Sequence, residues 1–315
     1  MPVSLQRLFL VPRRPLQFLL VLLGWATTLL HVFPALAQAL TAKQQAAAYE
    51  QLQKTTTYGR DAKVGKYYTI RGFNMYCEVY GAGPPLLLIH GNGSSINAFA
   101  KQIPFFAKSY KVIVADSRAH GKSVNKIDSL SYEMMADDYA ALLTALHVDS
   151  ANVLGWSDGG INGLLLAIRH PEKVKQLVVT GANLQPDSTA VDPAVLKRVT
   201  KPHDMLAGWF KESRPKTPRD SMVYKYFRLL IEQPHISRSQ LRRIAAPTLV
   251  IGGDHDVIRT RHTLLIAENI PKSYLWILPN SGHSTLIAYA EEFNQKVLQF
   301  LRTPYRTIVD REREF

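Results

Sequence analysis

Gly155-Trp156-Ser157-Asp158-Gly159-Gly160 stands between an apolar, strand-like run, Asn152 to Gly155, and a helical run, Ile161 to Arg169. A serine at a sharp turn from strand to helix adopts strained backbone angles, and glycines flank it because a Cβ there collides with the turn. The consequence is an exposed hydroxyl at a helix amino terminus, where main-chain N–H groups and the helix dipole favour negative charge. The six-residue string alone is only moderately specific. Its position between strand and helix is what gives it weight.

Three further stretches fit the same reading. His90-Gly91-Asn92-Gly93 follows the apolar run Leu86 to Ile89. Glycines on both sides of Asn92 let the backbone turn so that its N–H points toward the N–H of Asp158, and two such donors hold the oxyanion of a tetrahedral intermediate. His90 itself reads as a structural hydrogen-bonder. Gly252-Gly253-Asp254-His255-Asp256 ends the run Thr248 to Ile251, and Ser281-Gly282-His283 follows the run Tyr274 to Leu278. In a parallel sheet the loops at the carboxyl ends of the strands converge on one edge, so serine, carboxylate and histidine from three loops can meet there. Strand alternation does not separate Asp254 from Asp256, which lie two residues apart.

Working outward, strand-like runs occur at Tyr67 to Ile70, Met75 to Tyr80, Leu86 to His90, Val112 to Asp116, Asn152 to Gly155, Gln176 to Thr180, Thr248 to Gly252 and Tyr274 to Leu278. The first two, separated by Gly72, read as a hairpin. The others alternate with helical patterns such as Glu133 to Leu146, Ile161 to Arg169 and Thr263 to Asn269, which predicts a mostly parallel, buried sheet of eight strands flanked by helices. From Leu184 to Ala246 no strand is evident, and amphipathic segments alternate with Pro202, Pro215, Pro218 and Pro234. That interval is too long for an ordinary crossover and predicts a helical cap over one edge of the sheet. The expected organisation is a signal segment at 1–37, a linker or short leading helix at 38–64, a core at 65–183 and 247–302, the cap at 184–246 and a tail at 303–315.

The sequence resembles the α/β-hydrolase family over residues 65 to 302. Asp116-Ser117-Arg118-Ala119-His120-Gly121-Lys122-Ser123 is similar to the family's D-x-R-G-x-G-x-S loop, with Ala119 in place of the usual glycine. Pro247 to Ile258 is similar to its P-T-L-x-x-x-G-x-x-D-x-x run. The resemblance implies the α/β-hydrolase fold with Ser157 as nucleophile, His283 as base and Asp256 as the acid, since the family's acid stands third after the glycine that ends the strand. An aspartate directly at the strand end, as Asp254 is, sits too far back in the turn. Relatives that open halides or epoxides carry an aspartate at the nucleophile position, so Ser157 implies hydrolysis through an acyl-enzyme.

Composition bounds the partners. The 315 residues carry 46% hydrophobic and 20% charged residues, as in an ordinary globular protein. The net charge of +13 is scattered, with Arg242-Arg243 and Lys197-Arg198 the densest pairs, which predicts a solvated basic surface and no nucleic-acid partner. The single cysteine, Cys77, lies in a strand-like run and reads as a buried apolar residue. His203, His235, His255 and His262 show no zinc-ligand spacing, and the chemistry needs no metal or organic cofactor. At the amino terminus Arg7, Arg13 and Arg14 precede an uncharged run from Leu16 to Leu30, then Pro34 and Ala35-Leu36-Ala37 before Gln38. That pattern predicts export with cleavage after Ala37 to the periplasm or beyond; the alternative is an anchor formed by residues 15–36, the one route to membrane contact.

The expected function is hydrolysis of a carboxylic ester or related acyl substrate, a small molecule. The resemblance equally admits cofactor-free perhydrolases, C–C bond hydrolases, lactonases and lyases, which reuse the same three residues, and a ligand receptor that retains the site. Met205, Leu206, Trp209, Phe210, Tyr224, Tyr226 and Phe227 are the apolar cap residues expected to roof the site or to form the cap's own core.

Overall fold

The computed structural model describes residues 42–124, 129–211 and 217–307. The expected signal segment, and residues 308–315 of the expected tail, lie outside the described residues. In chain order the principal elements are α1 (Ala42–Thr55), β1 (Lys66–Ile70), β2 (Phe73–Tyr80), β3 (Pro85–Ile89), β4 (Lys111–Ala115), α2 (Tyr132–Ala145), β5 (Ala151–Trp156), α3 (Asp158–Arg169) and β6 (Val174–Thr180). They continue with α4 (Pro193–Lys211), α5 (Pro218–Glu232), β7 (Thr248–Gly253), α6 (Thr260–Asn269), β8 (Ser273–Leu278) and α7 (Ala290–Arg302).

The eight strands form one sheet in the order β1-β2-β4-β3-β5-β6-β7-β8. The β1–β2 hairpin turns through Arg71 and Gly72, both with positive φ, as a two-residue turn between twisted strands demands. The pairing of β2 with β4 is antiparallel, and every pairing from β4 onward is parallel. The chain runs from β3 outward to β4 and then returns to the other side of β3 for β5. This reversal is the topological switch point at which α/β sheets open a crevice beyond the strands' carboxyl ends.

Strands β3 to β6 are predominantly apolar because both their faces are covered. Leu87, Ile89, Ile113, Val153, Leu177 and Val179 pack in one cluster with Tyr139 and Leu142 of α2 and Leu164 and Leu165 of α3. The alternate residues Leu86, Leu88, Val112, Val114 and Val178 are equally buried on the opposite face. There the Gln176 side chain donates to the Phe300 carbonyl at 3.3 Å, which ties α7 over that face. Cys77 is buried in β2, and burial raises its thiol pKa far above the ordinary value.

The segment before residue 65 holds the short leading helix, the second of the two expected forms. Residues Ala42–Thr55 are helical. Residues 59–61 are pinned to β2 by the fully buried Glu78, which accepts the main-chain N–H of Gly59 at 2.8 Å and of Asp61 at 3.0 Å. The same carboxylate takes the hydroxyls of Tyr76 and Tyr80, both at 2.8 Å. An acid in an apolar strand discloses nothing of its partners at the level of sequence, which is why this tie was not foreseen.

The insertion holds two long helices. A capping box of Thr217 with Asp220, and Pro218 at the first helical position, start α5. Pro202 departs from the expected punctuation, because α4 continues through it. An interior proline forfeits one helical hydrogen bond and stays where packing of the amphipathic face holds the turn together.

Candidate active site

Main-chain register assembles the site. Ile89, the last residue of β3, pairs with Gly155 of β5, so the loop that begins at His90 runs beside the turn that carries Ser157. Ser157 has φ 56° and ψ −121°, a conformation that L residues rarely adopt. The flanking glycines are obligatory: a Cβ on Gly155 lies 2.0 Å from the Gly159 carbonyl oxygen, and a Cβ on Gly159 lies 1.9 Å from that of Ile89. The strained turn is thereby fixed from both sides.

His283 Nε2 lies 2.9 Å from Ser157 Oγ, and its Nδ1 lies 2.7 Å from Asp256 Oδ1. The Asp256 side chain is 1% exposed, whereas that of His283 is 23% exposed at the crevice. Asp256 Oδ1 also accepts the Ile258 N–H at 3.0 Å, which orients the carboxylate. Burial works against charging His283, but the charge of Asp256, its hydrogen bond and the more distant charge of Asp158 outweigh it and raise the imidazole pKa. The group is poised to take a proton and hold it.

The other candidate acid does a different job. Asp254 Oδ1 accepts the Ser281 N–H at 3.0 Å, and main-chain N–H donors lower its pKa. It braces the loop that carries His283. Trp156 Nε1 donates to the His283 carbonyl at 2.9 Å and holds the same loop from the nucleophile's side.

Asn92 and Asp158 meet through their side chains. Asn92 Nδ2 donates to Asp158 Oδ2 at 2.8 Å. Burial raises the Asp158 carboxyl pKa to about 6, against the lowering effects of Asn92, Tyr132 and the charge of His283. The Tyr132 hydroxyl is buried without a hydrogen-bond partner of good geometry among the described residues, yet lies close enough to act on that carboxyl. His90 positions the loop: its Nε2 accepts the Ser117 N–H at 3.0 Å, so Nδ1 carries the proton and donates to the Gly91 carbonyl at 2.8 Å. Burial lowers its pKa to about 4, so it is neutral.

Beyond Ser157 lies a cavity of about 270 Å³. Val195, Leu196 and Val199 of α4, Leu230 of α5, and Val257 and Ile258 form its apolar wall, and Tyr132, Asn183, Gln233 and Asp158 its polar side. Among the described side chains, none of the apolar cap residues singled out in the sequence lines it. Met205 and Trp209 are exposed, Leu206 is buried, and Tyr226 stacks on His120; the side chain of Phe210 lies outside the described residues. The wall comes instead from the first turns of α4, whose positions 195, 196 and 199 share one helical face. Size and aromaticity drew attention to the wrong end of that helix.

Gly181 was also missed. At the end of β6 it has φ +65°, and a Cβ there lies 2.8 Å from His283 Cε1 and 2.9 Å from Nδ1. The available signal was a glycine directly after the strand run that ends at Thr180.

An eight-stranded, mostly parallel sheet flanked by helices in this order is the α/β-hydrolase fold. A family profile described as "alpha/beta hydrolase fold" matches residues 84–217. The serine hydrolase BPHL of Mus musculus is 28% identical, covering 80% of this chain and 91% of that protein. The 2-hydroxymuconate semialdehyde hydrolase of Pseudomonas sp. (strain CF600) is also 28% identical, covering 76% of this chain and 94% of its own. Among solved structures, a hydrolase from Pseudomonas aeruginosa PA01 superposes with a TM-score of 0.63 at 26% identity, covering 77% of this chain and all of that one. The chain has the α/β-hydrolase fold and is a hydrolase.

Proposed function

We propose that the chain hydrolyses carboxylic esters of small, apolar acyl groups through an acyl-enzyme on Ser157. The observation that carries this reading is the continuous line of hydrogen bonds from Ser157 Oγ through His283 to the buried Asp256 carboxylate. His283 takes the Ser157 proton as the oxygen attacks the acyl carbonyl, and Asp256 keeps the imidazole in the tautomer that accepts at Nε2. The main-chain N–H groups of Asn92 and Asp158 hold the developing oxyanion, each contributing about 3 kcal/mol. His283 then protonates the leaving alcohol and activates the water that releases the acid. The cavity's apolar wall and modest volume favour short acyl chains. Similarity to a protein named a serine hydrolase supports the same choice of nucleophile.

A fluorophosphonate probe should label the wild type stoichiometrically and leave Ser157→Ala unlabelled, and p-nitrophenyl acetate and butyrate should turn over only with Ser157 present. Labelling that persists in Ser157→Ala refutes the nucleophile. Labelling without turnover of any ester refutes the ester reading and leaves carbon–carbon or lactone cleavage at the same serine.

A further inference from the structure

Tyr226 joins the cap to the loops after β3 and β4. Tyr226, on α5, donates its hydroxyl to the Ala119 carbonyl at 2.6 Å. Its ring stacks on that of His120, with centroids 4.3 Å apart and planes 22° from parallel. His120 is buried and neutral, its pKa lowered to about 3 by burial and by the neighbouring His90. The Tyr226 main-chain carbonyl accepts from Asn92 Nδ2 at 3.4 Å, from the same amide that binds Asp158. The ring also comes within 3.8 Å of where a Cβ on Gly93 would stand, next to Asn92, at a position with φ +64°.

These contacts join loops from two strands. Gly91 to Gly93 follow β3, and Ala119 and His120 lie in the loop after β4. Ala119 itself has φ +63°, which costs a non-glycine residue on the order of 1 kcal/mol and persists only where its surroundings hold it. Its N–H bonds to the Ser123 carbonyl at 2.9 Å, and its carbonyl is held by Tyr226. The far end of α5 is anchored as well, where Gln233 Oε1 accepts the Tyr132 N–H at 3.2 Å and Nε2 donates to the Leu130 carbonyl at 3.3 Å. Tyr226 and Leu230 share one face of α5, and Leu230, with Gln233 just past the helix end, lines the cavity.

We propose that Tyr226 is a positioning residue that sets the Asn92 main-chain N–H at the oxyanion, so that the seating of the cap governs turnover as well as access. This rests on the ester-hydrolase reading above. Asn92 is the pivot: one side-chain amide is shared between the nucleophile helix through Asp158 and the cap helix through Tyr226. Withdrawing the Tyr226 side chain leaves that main-chain acceptor in place but releases the Ala119 carbonyl and opens the space over Gly93, and the loop that carries the oxyanion donor relaxes into it. A side chain that merely filled the cap would instead affect how substrate binds.

The test compares wild type, Tyr226→Phe and Tyr226→Leu by kcat and KM on p-nitrophenyl acetate and butyrate, with thermal melting and the affinity for phenylboronic acid. That boronic acid forms a tetrahedral adduct on an activated serine and so reports the oxyanion site without turnover. Tyr226→Leu should lower kcat by ~10- to 100-fold, the range expected for a donor displaced by up to about 1 Å. Boronate affinity should fall in step, with KM within about twofold of wild type. Tyr226→Phe keeps the ring on His120 and over Gly93, loses only the hydroxyl on the Ala119 carbonyl, and should lose only about threefold in kcat. A raised KM with unchanged kcat and boronate affinity overturns the proposal and makes Tyr226 a packing residue of the cap. Should Tyr226→Leu fail to fold, Tyr226→Phe decides alone, because wild-type kcat in that variant also overturns it. A wild type that turns over no ester refutes the underlying reading instead, whatever the variants do.

Discussion

Gly181→Ala puts the smallest possible group against the proposed base. The new Cβ stands 2.8 Å from His283 Cε1, 2.9 Å from Nδ1 and 3.5 Å from Asp256 Oδ2. Carbon atoms in ordinary contact are ~3.5 Å or more apart, so the ring must withdraw by about 0.7 Å or the backbone must move. A withdrawal of that size along the Ser157–His283 line stretches its 2.9 Å contact to ~3.6 Å, beyond hydrogen-bonding distance. Misplacement on this scale costs on the order of 10²-fold in kcat. Alanine at φ +65° adds about 1 kcal/mol of backbone strain, which lowers Tm by ~2–4 °C in a domain of this size. KM should stay near wild type, because the cavity wall is formed by other residues. The assay is kcat and KM on p-nitrophenyl butyrate beside a thermal melt. Wild-type kcat in a folded Gly181→Ala refutes the reasoning, since it shows that the ring's position does not depend on the bare turn.

The two aspartates of the β7 loop should separate cleanly. Asp256→Asn removes the acceptor that fixes the His283 tautomer and should lower kcat by roughly 10⁴-fold with little change in melting, whereas Asp254→Asn keeps an oxygen for the Ser281 N–H and should cost less than about tenfold; the reverse ranking refutes the assignment. The pH profile follows from the sign of the His283 shift. Only the neutral ring accepts the Ser157 proton, and the raised pKa keeps the ring protonated to a higher pH, so kcat/KM should rise with pH through a limb lying above 6.5. In Asp256→Asn burial acts without its main opponent, so the residual activity should show that limb at lower pH; a wild-type limb below 6.5 contradicts the reading.

The core and the constellation were legible because local rules and global topology agree there. Gly155 and Gly159 signalled a turn with no room for a Cβ, and the atoms that exclude one are the carbonyls of Gly159 and Ile89. Strand runs were legible through apolar continuity, and their ends fell within three residues of the observed ones. Ala119, the one departure from the family's loop, occupies the left-handed conformation that the usual glycine adopts without strain. What sequence did not disclose depends on contacts between distant segments. Glu78 is an unremarkable letter until Gly59 and Asp61 fold against it. The cavity wall at Val195, Leu196 and Val199 is made of small apolar residues that resemble any helix face.

The run from Gly252 to Asp256 shows how much function a short loop can hold when it leaves a parallel strand. Gly253 is the close-packed point, where a Cβ meets the Ser281 carbonyl oxygen at 2.0 Å, so the β7 and β8 loops must touch there. That contact puts Asp254 against the main chain of the histidine loop and carries Asp256 forward to the imidazole itself. One aspartate fixes where the histidine loop sits; the other fixes which nitrogen of the histidine faces the serine. The first role needs only an acceptor, whereas in the proposed mechanism the second needs a charge, because an imidazolium forms opposite it in the transition state. A neutral amide should therefore serve at 254 and fail at 256, so that the same substitution at the two positions distinguishes bracing a loop from stabilising a transition state.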